Sequence, residues 1–393
     1  MTGEYAHARK VPGIEYRMSP SERTLADEFN DAGYETIYVG KWHLDGGHGR
    51  MGSALQVGRT PVAPVNQGRW QKWLGFELRN DPFDTYTFED DDPEPKKIEG
   101  YQTDGMFDLG MEYLKNRTDD RPFCAVISVE PPHNPFVAPE ELQSQWEQRD
   151  LVLPENYQAD DAKRDKMLLD RKRYYAMVEN LDSNVGRAMV FLEKEGLAGN
   201  TIVVFLSDHG ELGGSHGLGQ KQWPYEESVG IPVIVSDPRT PDRENVVIDD
   251  PVSTEDLFPT LLGLAGISPR NPMHGVNLTP LIHGSEDALE RDGIMLEFVA
   301  ELRRGMPFYE EVWRGFRTRR YKYTVKGDNM GGRPWQFFDL ESDPCEMSNL
   351  VDDPSSEPLI ASHHRLLRDR IVETGDHFVL LPAFGVEGAN LWE

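Results

Sequence analysis

Up to about Leu281, short apolar runs alternate with longer amphipathic stretches, the pattern of a mostly parallel sheet covered by helices on both faces. The clearest strand candidates are Thr36 to Val39, Phe123 to Val129, Thr201 to Leu206 and Ile231 to Val235. Between them a long helix is expected over Lys166 to Glu195. There Tyr174, Met177, Val178, Leu181, Val185, Met189 and Leu192 recur at helical spacing, and Gly196 can end the helix. That stripe reads as core packing. Ser253 can cap a further helix presenting Leu257, Leu261, Leu262 and Ala265 before Gly266. Beyond Leu281 the alternation stops. Trp313 to Val325 followed by Trp335 to Leu340 reads as an antiparallel hairpin with its turn near Asp328 to Gly332, covered by a helix over Pro358 to Glu373. The expected division is an α/β unit over residues 1–285 and a smaller α+β unit over 286–393.

A chain of 393 residues affords a large core, and no apolar run reaches the roughly 18 residues of a membrane helix. Lys and Arg number 41 against 68 Asp and Glu, a formal charge of -27. That balance excludes a general nucleic-acid binder, because a phosphate backbone needs a positive surface. Any anionic ligand must therefore meet a local basic pocket. Two cysteines, Cys124 and Cys345, make neither a disulfide framework nor a zinc site. The residues Met1 to Lys10 have no apolar stretch of the kind signal peptides use, and the compartment is not readable.

The densest chemistry is Ser207-Asp208-His209-Gly210-Glu211, immediately after the strand Thr201 to Leu206. Ligands of open α/β sheets bind outside the carboxyl ends of strands, and a carboxylate beside an imidazole suits a divalent cation. Gly210 permits a sharp turn. His216 and Lys221 follow in a glycine-rich loop, which is how a pocket for a tetrahedral oxyanion is built.

Taken together, these segments resemble the sulfatases of the alkaline phosphatase superfamily. Gly40-Lys41-Trp42-His43-Leu44 resembles that family's Gly-Lys-Trp-His-Leu motif, and Glu130-Pro131-Pro132-His133 resembles its strand ending in a Pro-His turn. Ser253 to Ile267 resembles its Asp-Leu-Phe-Pro-Thr-Leu-Leu helix, and Phe338-Asp339-Leu340 with Asp343-Pro344-Cys345-Glu346 and Asn349-Leu350 resembles its C-terminal hairpin signature. The resemblance implies an alkaline-phosphatase-like fold and a sulfuric ester hydrolase acting on a small anionic sulfate ester, a sulfated sugar or an aryl sulfate. It implies metal ligation by Asp208 and His209, with His209 standing where many members have Asn. The ion is usually calcium, with magnesium or manganese as alternatives. Lys41 and Lys221 would contact sulfate oxygens, His133 would protonate the leaving oxygen, His43 would assist turnover of a covalent intermediate, and His216 would face the substrate.

Family members attack sulfur with a formylglycine made from a Cys/Ser-x-Pro-x-Arg motif lying some nine residues ahead of a Thr-Gly pair. The matching pair here is Thr2-Gly3, so the nucleophile, and a strand carrying further metal ligands, are expected ahead of Met1, to be supplied by a preceding or separate segment. Ser236-Asp237-Pro238-Arg239 and Val246 to Asp250 imitate the missing motifs in the wrong places. Two other readings stand beside the sulfatase: a phosphodiesterase or phosphonate monoester hydrolase of the same superfamily, and a non-catalytic relative that binds anions or a partner. A homo-oligomer is also compatible. The loops Gly46 to Trp73 and Phe298 to Trp313 carry no readable motif, although Trp70, Trp73 and Trp313 could stack on sugar rings. Arg303 and Arg304 read as a solvated surface pair that could also rim an anion site.

Overall fold

The computed structural model describes residues 1–47, 57–79, 81–158, 162–240, 246–328 and 330–392; part of the loop Gly46 to Trp73 thus lies outside the described residues. Its central sheet has five strands in the order β4-β3-β2-β1-β5. They are β1 (Glu35–Lys41), β2 (Lys72–Phe76), β3 (Tyr86–Glu89), β4 (Lys96–Lys97) and β5 (Phe123–Ser128). Strand β1 pairs in parallel with β2 and with β5, and β3 and β4 add an antiparallel edge.

The two faces of β1 follow its period of two. Ile37 and Val39 pack with Leu74, Phe76 and Met106 on one side, where Met106 belongs to α2 (Gln102–Asn116). Tyr38 packs with Ala26 of α1 (Leu25–Asp31), Trp42, Trp70 and Trp73 on the other. Strand β1 is accordingly buried almost throughout, as the middle strand of a parallel sheet must be. Helix α1 starts where the Asp27 carboxylate accepts from the Thr24 backbone N–H at 2.7 Å.

After the short α3 (Glu140–Glu147), the long helix α4 spans Arg164–Lys194. It is tied to α2 by Asn180 and Asn184, which both donate to Asp104 Oδ1, at 2.9 and 2.7 Å. The stripe expected to be core is only partly covered: Met177 and Leu192 are buried, Leu181, Val185 and Met189 are half-buried, and Val178 is exposed. Strands β6 (Val203–Leu206) and β7 (Val233–Ser236) pair with each other, antiparallel, as a ladder separate from the central sheet. Their outward side chains include Leu206, 40% exposed, and Ile234, 60% exposed. Strand β5 has a ladder partner only on its β1 side among the described residues.

Helices α5 (Glu226–Val229), α6 (Thr254–Leu264) and α7 (Thr279–His283) complete the larger part. Ser253 does stand at the start of α6, with Asp256 Oδ2 accepting from its backbone N–H at 2.8 Å. Leu262 and Phe258 of α6 pack on Leu25 and Phe29 of α1.

The stretch expected as a single hairpin is three strands, β9 (Val312–Thr318), β10 (Tyr321–Asp328) and β11 (Gly331–Asp339), and β8 (Gly293–Phe298) joins them in an antiparallel sheet of order β11-β10-β9-β8. Trp313 to Val325 holds a turn at Arg319-Arg320 that apolar patterning alone conceals. Helix α8 (Glu357–Thr374) lays Ile360, Leu367 and Ile371 on Met295, Phe316, Tyr323, Val325 and Phe337. Tyr5 sits in that same core, so the first residues of the chain pack on the C-terminal sheet although they precede the α/β part. The expected boundary near residue 285 falls between α7 and β8. Among the described residues, no helix is long and apolar enough to cross a membrane.

Candidate active site

Three strands end at one place. Strand β1 delivers Lys41, β5 leads into Glu130 and His133, and β6 leads into Asp208 and His209. The close approach of β1 to β5 depends on Gly40: its φ is +102°, and a Cβ there would lie 1.9 Å from the Ser128 carbonyl oxygen, so no side chain fits. Directly after it, Lys41 Nζ lies 3.8 Å from Glu130 Oε1, with both side chains nearly buried. Burial pushes the Glu130 carboxyl up to about 7 against the pull of the Lys41 charge.

His133 is oriented by two contacts. Its Nδ1 donates to the Asn134 carbonyl at 2.7 Å, which leaves Nε2 to accept from Lys221 Nζ at 2.9 Å. Burial, then the positive charge of Lys221, holds the His133 imidazole down at about 4. Lys221 is itself lowered, by burial first and by Lys41 second. Two ammonium groups and one neutral imidazole therefore face one another across a small space, which is unfavourable until an anion enters it.

Asp208 and His209 border that space. The Asp208 carboxylate is open to solvent at 76% of its side chain, yet His209, Lys41 and Lys221 all act on it. Protein packed around the mouth of the space still partly desolvates the carboxylate and opposes its ionisation, and those three groups outweigh this and hold it below the usual carboxylate range. His209 Nδ1 donates to the Gly210 carbonyl at 2.9 Å, so Nε2 keeps its lone pair, 3.5 Å from Asp208 Oδ2. Burial lowers the imidazole's affinity for a proton. A neutral Nε2 and a carboxylate oxygen at this separation can both reach one divalent cation at roughly 2.0–2.6 Å. They are two donors of the six to eight that calcium takes.

The loop behind them is clasped by Glu211 Oε1, which accepts from Gly213 N at 3.1 Å and Gln220 N at 2.5 Å. Gly210 N donates to Ser228 O at 2.9 Å, and a Cβ on Gly210 would meet the Glu227 carbonyl oxygen at 2.1 Å. Gln220 and Gln222, on either side of Lys221, have φ of +62° and +85°. Left-handed backbone at non-glycine residues costs free energy and marks a position the surrounding structure over-determines.

The structure thus brings together Lys41, His133, Asp208, His209 and Lys221. It places His216 beside them in sequence but in another network: its ring stacks on Tyr225 at 3.8 Å and its Nε2 lies 3.1 Å from Asn156 Nδ2 and 3.9 Å from Glu227. His43 follows β1, its backbone N donating to the Glu77 carbonyl at 2.9 Å with φ +54°. Sequence reasoning missed Glu130 as the buried partner of Lys41. It also missed Lys322, a fully buried ammonium 3.0 Å from Glu226 Oε1 and 2.6 Å from Glu346 Oε1. Both acids adjoin motif residues; only their burial distinguishes them from turn residues. The aromatics considered for stacking, Trp70, Trp73 and Trp313, are buried at 6%, 0% and 2% and belong to the interior, because each fills space between packed elements. Cys124 is no nucleophile, since burial pushes its thiol up to about 12.

A second acidic cluster, His7 with Glu297 and Asp376, has three ligand-type atoms close together. Its groups already pair: Glu297 accepts from His7 Nδ1 at 2.5 Å, and Asp376 accepts from Arg314 at 2.5 and 3.1 Å. With a guanidinium in the cluster it is a structural junction.

A strand-end cluster of two lysines, a histidine and a carboxylate–imidazole pair defines a hydrolase of anionic esters. Comparison with known proteins makes this specific. The sulfatase family model matches residues 1–267, and the model for the C-terminal part of N-sulphoglucosamine sulphohydrolase matches residues 214–373. The chain is 31% identical over 384 residues to the ulvan-active sulfatase of Formosa agariphila, covering 96% of this chain and 71% of that protein. It is 27% identical over 375 residues to the arylsulfatase of Clostridium perfringens, covering 84% of this chain and 74% of that protein. A Bacteroides fragilis structure assigned to the sulfatases, yidJ, superposes with a TM-score of 0.83 at 25% identity, over 96% of this chain and 84% of that one. The chain belongs to the sulfatase family, whose members generally use a divalent metal, and its fold is that of the alkaline phosphatase superfamily.

Proposed function

We propose that this protein hydrolyses sulfate monoesters of sugars or aryl alcohols, and that the site described above carries the reaction. The observation that carries the reading is the convergence of Lys41 and Lys221 on His133, with Lys221 Nζ 2.9 Å from His133 Nε2, beside the Asp208 and His209 donors. The sulfuryl oxygens of the ester lie between the two ammonium groups, whose fixed charges match the negative charge that shifts as the ester S–O bond breaks. His133 Nε2, relieved of its positive neighbour when Lys221 turns to the anion, takes up a proton and delivers it to the departing oxygen. His43 assists release of sulfate from the enzyme. His216 borders the site through Tyr225 and Asn156.

Asp208 and His209 would hold a divalent cation, calcium by our reading, which when bound withdraws charge from a sulfuryl oxygen. The neutral Nε2 and the accessible carboxylate fit such an ion. Asp208 and His209 supply two donors, and other oxygen groups complete the coordination shell.

The test is turnover of 4-nitrophenyl sulfate and of bis(4-nitrophenyl) phosphate by the purified protein, produced together with a segment carrying the Cys/Ser-x-Pro-x-Arg motif, in calcium, magnesium or manganese. Hydrolysis of the sulfate ester is expected, with kcat/KM falling about 10²–10³-fold in Lys221→Ala. Turnover of the phosphodiester alone would replace this reading with the phosphodiesterase one. Saturable sulfate binding with no turnover of either ester would favour the non-catalytic one.

A further inference from the structure

We propose that Trp223, Phe308 and Trp335 form a shelf that takes the ring of a sulfated sugar, with Trp223 as the residue that sets this preference. The inference rests on the sulfate-ester reading of the neighbouring site. The three rings come from three separate segments, the loop after Lys221, the stretch between β8 and β9, and β11, and each touches the other two. Trp223 lies 4.9 Å from Phe308 and 6.1 Å from Trp335, and Phe308 lies 6.0 Å from Trp335. None of the three is buried, whereas Trp42, Trp70, Trp73 and Trp313 all are. This group keeps part of its surface open.

Its position relative to the anion site is fixed by the residue between them. Trp313 Nε1 donates to the Gln222 carbonyl at 2.8 Å, and Gln222 Nε2 donates to Glu301 at 2.7 Å, where Arg303 also pairs at 2.6 Å. Two residues of chain span at most about 7 Å, so the Trp223 backbone lies within that distance of the Lys221 backbone, and Arg303, whose charge acts on Lys221, pairs with the same Glu301 that holds Gln222. A sulfate ester joins its sulfur to its alcohol through one oxygen, which puts the alcohol's ring next to whatever adjoins the sulfate pocket. Aromatic faces suit the apolar C–H face of a sugar, and the shelf is stiffened from behind by Phe298, 5.6 Å from Phe308, and by Tyr225, 6.3 Å from Trp223. Lys326 Nζ sits 5.1 Å over the Trp335 ring while paired with Glu311 at 2.8 Å, so a hydroxyl-rich ring on the shelf would meet both a donor and an acceptor.

The experiment is calorimetric titration of the full chain, in calcium, with sodium sulfate, ethyl sulfate and glucose 6-sulfate. It is run on the wild type, Trp223→Ala and Phe308→Ala, each first shown to unfold cooperatively. Glucose 6-sulfate is expected to bind the wild type at least about tenfold more tightly than ethyl sulfate, as a stacked ring should. Each variant should lose that margin while sodium sulfate stays within about twofold. Phe308→Ala alters the segment between strands and so keeps the test open should Trp223→Ala not fold. If sulfate binds but the wild type shows no margin, or if the margin survives in both variants, the shelf is overturned and the anion site stands. If none of the three anions binds, the anion site falls, and the shelf with it.

Discussion

His133 is the residue whose behaviour depends most on its neighbours. In the free protein it is neutral at ordinary pH, held at about 4 by burial and then by the Lys221 ammonium. An oxyanion between Lys41 and Lys221 cancels that field, so the imidazole should gain affinity for a proton as the ligand enters. An NMR titration of the His133 Cε1–H signal is expected to give a midpoint near 4 without sulfate and about one unit or more higher with saturating sulfate. A midpoint that sulfate leaves unmoved would show that the anion sits elsewhere. At this scale most of the site was legible: Asp208 and His209 from their place after the apolar run of a strand, where such sheets bind ligands, and Lys41 and His133 through the resemblance of their segments to sulfatase motifs. Glu130 was not: an acid before two prolines reads as a solvated turn until the packing of α2 against β5 hides it.

At the scale of elements, the loop carrying Lys221 is fastened to the C-terminal sheet. Lys322 of β10 bridges Glu226 of α5 and Glu346, and Glu346 Oε2 accepts from Glu226 N at 2.7 Å. Burial pushes the Glu346 carboxyl up to about 7 in spite of the lysine. Lys322→Met should therefore leave the buried Glu346 carboxylate without its cation, while Glu226 keeps Arg317 at 3.2 Å, and cost about 3–5 kcal/mol in urea unfolding. The double variant Lys322→Met with Glu346→Leu should recover part of the loss; a double variant no more stable than the single one would show that the lysine's packing, not its charge, matters. No sequence pattern announced this fastening, since its members lie about a hundred residues apart and become neighbours only when β10 folds against α5. The same holds for Trp223, Phe308 and Trp335. Periodicity finds an element's buried face but not which distant element meets it.

Across the whole molecule, the first residues and the C-terminal sheet are joined by His7 and Glu297. Burial disfavours the imidazolium, but the Glu297 contacts and the Asp376 charge outweigh it, so His7 is raised above its ordinary 6.5 in the folded protein. A histidine raised on folding adds stability that is fully present below about pH 6.5 and is lost as pH climbs through the folded value. The stability difference between the wild type and His7→Asn should accordingly be largest in mild acid and shrink in alkaline buffer, measured by urea unfolding from pH 5 to 9. A difference that grows with pH would refute the pairing. At this scale the alternating pattern anticipated the parallel core and the C-terminal sheet with its helix, but not the separation of β6 and β7 from the central sheet, because apolar runs do not say which edges will pair. Those edges carry a consequence for handling the protein. With no ladder partner on the far side of β5 among the described residues, β6 and β7 apart, and Leu206 and Ile234 facing water, the formal charge of -27 should be what keeps neighbouring molecules from joining strand to strand. That repulsion reaches only about 10 Å at 0.1 M salt and vanishes near the isoelectric point of about 4.8. The protein should therefore stay dispersed in dilute, slightly alkaline buffer and turn turbid, with growing β-sheet signal, as salt rises or pH approaches that point.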